Sequence, residues 1–197
     1  MILPILSFGA PILRKECEDF DENTPLENLI RDMFETMYAA SGVGLAGPQI
    51  GIGKRIFIVD GSPFADPEEG EQPDEQLLAL RKFKKVFINP IIEEESGELW
   101  PFAEGCLSIP GIREDVERKS NIKISYYNEN WQFLEESYQG IAARIIQHEY
   151  DHIEGVLFTD HLNPLKRRLL KGKLDDVSRG KVDVNYKMKF PLIKKKR

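Results

Sequence analysis

The pattern H-E-x-x-H occurs once in this 197-residue chain, within a helix predicted over residues 139–154. Residues four apart lie one turn above each other on a helix, so the imidazoles of His148 and His152 can converge on one metal ion. Glu149, next to the first histidine, can reach a metal-bound water without binding the metal itself. The pattern therefore predicts a metal site on a helix that the rest of the fold must surround.

A solvated helix face that carries two incidental histidines is the alternative interpretation. His148 and His152 share one face of the predicted helix with Ile141 and Ile145, at spacings of four, three and four residues. That face is apolar, and buried imidazoles need polar or metal partners. The shared face favours the metal site.

A catalytic metal site needs a third protein ligand and one open position. The extended zincin pattern would place a third histidine at position 158, but Phe158 stands there. The only glutamate after His152 is Glu154, which is too close to bind the same ion. The remaining histidine, His161, follows the helix end, where we expect a surface or capping role.

The two cysteines are the remaining candidates for the third ligand. Cys106 lies in the sequence E-G-C-L-S and is followed closely by Pro110, a setting that favours an exposed, fixed turn. The alternative is a small buried hydrophobe, the usual fate of a free cysteine. Cys17 lies among charged residues, and we expect it to be unreactive and partly exposed. A site of Cys106 and two histidines is chemically sound and leaves a fourth position open.

Composition excludes several classes of protein. Two cysteines are too few for a disulfide-stapled secreted scaffold, and no run approaches the roughly 18 apolar residues of a membrane span. Hydrophobic residues make up 41% of the chain and charged residues 30%, which suits a folded domain rather than a disordered chain. The apolar N-terminus lacks a basic leader and a cleavage site, so no signal peptide is predicted. We expect a reduced, cytoplasmic protein.

Predicted strands and helices fall in separate groups along the chain, which favours an α+β fold. We expect mixed or antiparallel sheets packed around the central H-E-x-x-H helix. A first helix is predicted over residues 24–40, with Thr24 as N-cap, Pro25 at the first helical position and Glu27 completing a capping box. Gly155 is placed to end the central helix.

The other elements are predicted from residue type and periodicity. Residues 41–49 contain too much glycine and proline for regular structure, and the acidic residues 66–75 predict a solvated loop. The remaining predictions are strands over 55–60 and 86–92, a hairpin over 121–136 with its turn at 128–130, and an amphipathic basic helix over 165–176.

Charge divides the chain near residue 165. Residues 166–197 hold 13 of the 27 lysines and arginines but only three of the 33 acids. We expect a catalytic domain over 1–165 and a basic C-terminal helix and tail over 166–197. Charge patterning leaves two roles open for this tail, since it can lie against the acidic body or meet a polyanion.

Three segments together resemble the peptide deformylase family. Residues 42–49 (G-V-G-L-A-G-P-Q), residues 104–108 (E-G-C-L-S) and residues 148–152 (H-E-Y-D-H) stand in the order and rough separation of that family's motifs. Residues 9–14 are also similar to its N-terminal segment. The resemblance covers roughly residues 1–165 and departs at Gly47, where the family usually has alanine.

The resemblance implies removal of the formyl group from N-terminal formylmethionine of new polypeptides. It implies that Cys106, His148 and His152 bind the metal and that Glu149 acts as general base and then general acid. The side-chain amide of Gln49 and the backbone N–H of Leu107 are implied donors to the developing oxyanion. The implied substrate-binding residues are Gly44, Val43 and Ile145. The backbone of Gly44 lies along the peptide, which binds as an extended strand, and Val43 and Ile145 surround the methionine side chain.

The implied cofactor is one divalent metal ion per chain, ferrous iron, for which zinc, nickel or cobalt can substitute. Formyl-methionyl peptides are the implied substrates. The basic tail adds a hypothesis of weak, salt-sensitive ribosome association without nucleic-acid sequence specificity and without membrane binding. On that hypothesis, activity on short formyl peptides survives loss of residues 177–197.

Two other classes of function compete with this interpretation. An H-E-x-x-H metalloprotease would use the same helix, but the sequence lacks the third histidine or glutamate that such enzymes use. A non-catalytic ribosome-binding module with a structural metal would have no use for Glu149, a free carboxylate beside the ion.

Overall fold

The computed structural model describes residues 1–65 and 75–191, without the side chain of Gln76. The predicted acidic loop over 66–75 therefore lies almost wholly outside the described residues. The elements, in chain order, are β1 Ile5–Leu6, α1 Glu27–Ala39, β2 Gly44–Ala46, β3 Ile56–Asp60, α2 Glu75–Leu80, β4 Lys84–Cys106, β5 Ile109–Tyr127, β6 Phe133–Gln139, α3 Gly140–Ile153, α4 Pro164–Ser178 and β7 Met188–Lys189.

A five-stranded antiparallel sheet in the order β2-β3-β4-β5-β6 forms the framework. Strands β4 and β5 are long, and the register between them shifts at four places, so the pair can bend around the core. Their hairpin closes where Cys106 pairs with Ile109. Cys106 is thus held next to the turn that closes the β4–β5 hairpin.

Helix α3 starts directly after β6, because Gly140 at φ +59° turns the chain from the sheet edge into the helix. The helix packs on an aromatic core in which the Phe87 ring lies 4.7 Å from Phe57 and 4.3 Å from Tyr126, centroid to centroid. Ile146 faces this core and is fully buried. Burial of these apolar side chains is the main force that holds the helix in place.

The α+β class is confirmed, with strands and helices segregated around α3. The strand predicted over 55–60 and the basic helix form within two residues of their expected bounds, and the hairpin forms with its turn at 128–132. The strand predicted over 86–92 and the first strand of the hairpin are much longer than expected, because β4 continues to Cys106 and pairs there with β5, which begins at Ile109. None of the helices among the described residues is long and apolar enough to cross a membrane.

Two local predictions were wrong. Helix α1 begins after Leu26, whose apolar side chain provides no cap, while the Thr24 hydroxyl donates to the carbonyl of Asp21. Thr24 therefore stabilises the preceding turn instead of the helix. Residues 41–49 are not irregular throughout, because Gly44–Ala46 forms β2 on the edge of the sheet and Gly47–Ile50 forms a 3-10 turn. Helix α2 was not predicted.

The C-terminal segment returns to the body of the protein. After α4, strand β7 pairs in parallel with β1, in the register Ile5 with Met188 and Leu6 with Lys189. Lys166 of α4 forms an ion pair with Glu114 of β5 at 2.9 Å. The tail thus lies against the body as far as residue 191, and residues 192–197 lie outside the described part of the chain.

Gly155 ends α3 as predicted, with a left-handed φ of +72°. A Cβ atom there would lie 2.8 Å from the backbone carbon of Arg14, whereas Gly111 has the similar φ of +74° and open space around it. We expect Gly111→Ala to cost about 1 kcal/mol through backbone strain alone. Gly155→Ala should cost about 1–3 kcal/mol more, because the added methyl group collides with the backbone.

The measurement is the free energy of unfolding from urea denaturation of the two variants and the unsubstituted chain. Equal losses in the two variants would show that the contact between Gly155 and the segment at Arg14 does not matter for stability.

Candidate metal centre

Three potential metal ligands converge between the β4–β5 hairpin and helix α3. The Sγ atom of Cys106 and one ring nitrogen each of His148 and His152 all lie within 4.8 Å of one another. The distance from Cys106 Sγ to His152 Nε2 is 3.2 Å. One turn of α3 separates the histidines, and their ring centroids are 5.3 Å apart. This is a Cys/His/His metal site of the kind the sequence pattern predicts.

The alternative ligands lie elsewhere. Cys17 is 6% exposed within the apolar core, so the expectation that it is partly exposed was wrong. Burial raises the pKa of its thiol to about 11, which keeps it protonated and unreactive. His161 is exposed, and its Nε2 contacts Asp151 Oδ2 at 2.7 Å. Neither residue belongs to the ligand cluster found among the described residues.

The electrostatics of the cluster suit a cation. Burial opposes ionisation of Cys106, but His152 and His148 outweigh it and lower the pKa of the thiol to about 5. A thiolate is the form that binds metal. The buried Nδ1 of His152 has no hydrogen-bond partner. The donor set of one thiolate and two imidazoles fits a first-row divalent metal ion.

Glu149 lies beside the ligands without belonging to their cluster. It is 4% exposed, and its buried Oε2 has no hydrogen-bond partner. Burial raises the pKa of its carboxyl group to about 7, against the opposing influence of the two histidines. A Cβ atom on Gly44 would lie 2.6 Å from the Glu149 carboxyl carbon. Only glycine at position 44 therefore leaves room for this side chain.

Gln49 is buried and held in one orientation by hydrogen bonds. The backbone N–H of Ala46 donates to its Oε1 at 2.8 Å. Its Nε2 then points toward Cys106 Sγ at 3.6 Å and Ser108 Oγ at 3.2 Å. Gly47, two residues before Gln49, has no room for a Cβ atom, which would lie 2.9 Å from two backbone carbonyl oxygens. The departure from alanine at position 47 is thus explained by local packing.

Sequence reasoning missed the residues that hold the ligands in place. The carboxylate of Glu104 accepts a hydrogen bond from His148 Nδ1 at 2.8 Å, which leaves Nε2 of that ring free for a metal. Glu104 also accepts from Arg118 at 2.7 Å and from Arg144 at 2.9 Å. Although burial opposes it, His148 and Arg118 hold the pKa of the Glu104 carboxyl well below its usual range.

The same network reaches the surface through Asp151. Arg118 forms a second ion pair with Asp151 at 2.8 Å, and His161 contacts the same carboxylate oxygen. Glu104 had a sequence signal, because it stands two residues before Cys106 in E-G-C-L-S. Arg144 also had a signal, because it stands one helical turn before His148 in the predicted helix. Arg118 had none, since its distance from the motifs along the chain hides its proximity in the fold.

A cavity of about 790 Å³ opens onto the site. The residues expected to bind substrate, Val43, Gly44 and Ile145, all line it, as do Gln49 and Leu107. Cys106 and His148 of the metal cluster and the neighbouring Glu149 also line the cavity. So do residues 183–186 of the C-terminal segment. His152 lies behind this wall and is 1% exposed.

Comparison with known proteins gives consistent results. The family model for polypeptide deformylase matches residues 2–168. Peptide deformylases of Christiangramia forsetii and Flavobacterium psychrophilum are 56% and 52% identical to the chain, each over the full length of both sequences.

Solved structures match as well. A peptide deformylase from Legionella pneumophila is 36% identical with a TM-score of 0.75, covering 92% of this chain and 98% of that one. One from Synechococcus elongatus in complex with actinonin is 37% identical with a TM-score of 0.71, covering 87% of this chain and 85% of that one. Sequence, fold and ligand geometry agree, and the chain belongs to the polypeptide deformylase family.

Proposed function

We propose that this chain removes the N-formyl group from newly made polypeptides at one metal centre, formed by Cys106, His148 and His152. Peptide deformylase activity itself follows from membership of the family. One observation supports this assignment of the site above all. Three metal-ligating atoms meet beside a buried carboxylate, and Cys106, His148 and Glu149 all line one cavity.

The proposed metal is one ferrous ion per chain, for which zinc, nickel or cobalt can substitute. Two imidazoles and a thiolate are compatible with all four ions, and the preference for iron rests on the family resemblance. When bound, the ion supplies Lewis acidity toward a water molecule and the formyl oxygen. Glu104 supports the site by fixing the ring of His148 and by opposing the buried charges of two arginines.

The proposed general base is Glu149. Its Oε2 is buried without a partner next to His148, so it is placed to take a proton from the attacking water. The same oxygen then returns the proton to the leaving amine of the peptide. Gly44 supports this role, because the missing side chain at that position allows Glu149 its close approach.

The proposed oxyanion donors are Gln49 and Leu107. The thiolate of Cys106 cancels one positive charge of a bound ion, so additional donors to the developing oxyanion gain importance. The Gln49 amide is held beside Cys106 by its bond from Ala46, which means that it need not reorganise during the reaction. Leu107 follows the thiolate directly and lines the cavity, where its backbone N–H can serve as the second donor.

The substrate is proposed to bind as an added strand. Strand β2, which contains Gly44, is the edge of the sheet and pairs with β3 on one side. Its other side adjoins the cavity, so an extended peptide can form backbone hydrogen bonds there. Val43 and Ile145 provide apolar surface for the methionine side chain.

Because its substrates are formylated nascent chains, we propose that the protein works in the cytoplasm and associates weakly with ribosomes. Helix α4 supports the second point, since Arg167, Arg168, Lys171 and Lys173 are all exposed on it. Exposed cations bind phosphate backbones through counterion release and without sequence specificity. The terminal basic residues Lys194, Lys195, Lys196 and Arg197 lie outside the described part of the chain.

The function is tested on anaerobically purified protein by metal analysis together with deformylation of formyl-Met-Ala-Ser. Glu149→Gln should keep the metal content and lower kcat by about 10²–10⁴-fold, because it removes the proton acceptor but no ligand. Cys106→Ser is the matched variant that should lose metal. An active Glu149→Gln enzyme would remove Glu149 from the mechanism, and full metal occupancy in Cys106→Ser would exclude this cysteine as a ligand.

Gln49→Ala should lower kcat by about 10²-fold and change KM much less, because an oxyanion donor acts mainly in the transition state. Steady-state kinetics on formyl-Met-Ala-Ser measure both constants. Ser108→Ala is the control, since it removes the neighbouring hydroxyl but leaves the Gln49 amide in place. A rise in KM at constant kcat would assign Gln49 to substrate binding instead.

Replacing Arg167, Arg168, Lys171 and Lys173 together by glutamine should reduce co-sedimentation with ribosomes at low salt. The unsubstituted chain should pellet at low salt and be released at moderate salt, because phosphate contacts weaken steeply with ionic strength. Activity on formyl-Met-Ala-Ser serves as the control for folding. Equal pelleting of both proteins, or of neither, would show that α4 does not bind ribosomes.

A further inference from the structure

The C-terminal strap, residues 181–191, crosses the body of the protein next to the metal site. Gly180, at φ +71°, turns the chain away from the end of α4. Strand β7 then docks on β1, where the backbone N–H groups of Ile5 and Ser7 donate to the carbonyls of Lys187 and Lys189 at 2.8 and 3.1 Å. The strap is therefore fixed to β1 by a short parallel ladder.

Tyr186 fixes the strap at the site itself. Its hydroxyl donates to the backbone carbonyl of Leu107 at 2.8 Å, next to the ligand Cys106. Its ring packs against the apolar cluster that contains Met37 and Leu45. Half-buried residues at even positions alternate with exposed ones at odd positions from 181 to 189, as expected for an extended segment with one face on the protein.

The strap forms part of the wall of the catalytic cavity. Asp183, Val184, Asn185 and Tyr186 line the same space as Glu149. The volume of about 790 Å³ lies near the upper end of ordinary ligand pockets, so the space can hold more than a formylmethionine residue. The strap contributes a carboxylate, an apolar side chain and an amide to this additional space.

The exposed charges on the cavity are few. Glu104, Arg144 and Glu149 also line it, but all three are buried. The exposed charged side chains on its wall are Asp183 from the strap and Arg113 from β5. A charged substrate side chain near the strap would therefore meet the carboxylate of Asp183 in a partly enclosed space, where charge interactions are screened less than on an open surface.

We propose that residues 183–186 contact the second and third residues of the substrate and that Asp183 favours basic side chains there. This inference rests on the proposed function, because it takes the occupant of the cavity to be a formyl-methionyl peptide. It also replaces the expectation that residues 177–197 are dispensable for short peptides. Loss of these residues would remove one wall of the cavity and the hydroxyl that holds Leu107.

The test compares kcat/KM for formyl-Met-Lys-Lys and formyl-Met-Glu-Glu at low ionic strength. The unsubstituted chain should favour the lysine peptide by about two- to fivefold, the size expected of one exposed charge pair. Asp183→Lys should reverse this preference, and Asp183→Asn should give a ratio between the two. The ratio is informative because a uniform loss of activity cancels from it.

Asp175→Lys is the matched control, since it makes the same charge change on an exposed residue of α4 outside the cavity wall. It should leave the ratio unchanged. An unchanged ratio in Asp183→Lys, or an equal shift in Asp175→Lys, would overturn the proposal. Failure of the unsubstituted chain to deformylate formyl-Met-Ala-Ser would instead refute the proposed function, which separates the two outcomes.

Discussion

The buried carboxylate of Glu104 is the contact on which the metal site depends. It joins β4 to β5 through Arg118 and to α3 through Arg144 and His148, with all four side chains largely removed from water. Two buried guanidinium groups next to each other would be prohibitively costly without a shared anion. Removing one partner of such a buried pair typically costs about 3–5 kcal/mol.

This network also sets the geometry of the ligands. Glu104 stands two residues before Cys106 on the same strand, so the contact that orients His148 also brings the thiol toward the helix. The hairpin end at Cys106 and Ile109 limits how far the thiol can move. The same backbone constraints therefore hold both the buried ion pairs of Glu104 and the metal ligands. A change in the ion pairs would also shift the ligands.

Close backbone approach is the second constraint on the site. Gly44 and Gly47 lie in β2 and the turn that follows it, and neither position has room for a Cβ atom. Gly44 leaves space for Glu149, while Gly47 lets the turn fold tightly enough to aim Gln49 at the thiolate. The strap adds a third element from the far end of the chain, through the bond between Tyr186 and Leu107.

The sequence alone determined the local chemistry of the site. Helical spacing placed His148 and His152 on one face, elimination of other ligands favoured Cys106, and strand and helix patterns were sufficient for the α+β class. These predictions depend on neighbours within one element. Thr24 was wrongly expected to cap α1 because a local motif can serve a turn as well as a helix.

Only the tertiary structure decided which distant residues complete the site. Arg118 and Arg144 reach Glu104 because a bent sheet and a helix converge, and no spacing in the sequence encodes that meeting. Cys17 becomes buried for the same reason, although its neighbours in the chain are charged. The docked strap is the clearest case. Its charge left open whether it lies against the acidic body or meets a polyanion, whereas pairing with β1 and the hydroxyl of Tyr186 hold it on the wall of the cavity, since backbone hydrogen bonds depend on geometry and not on net charge.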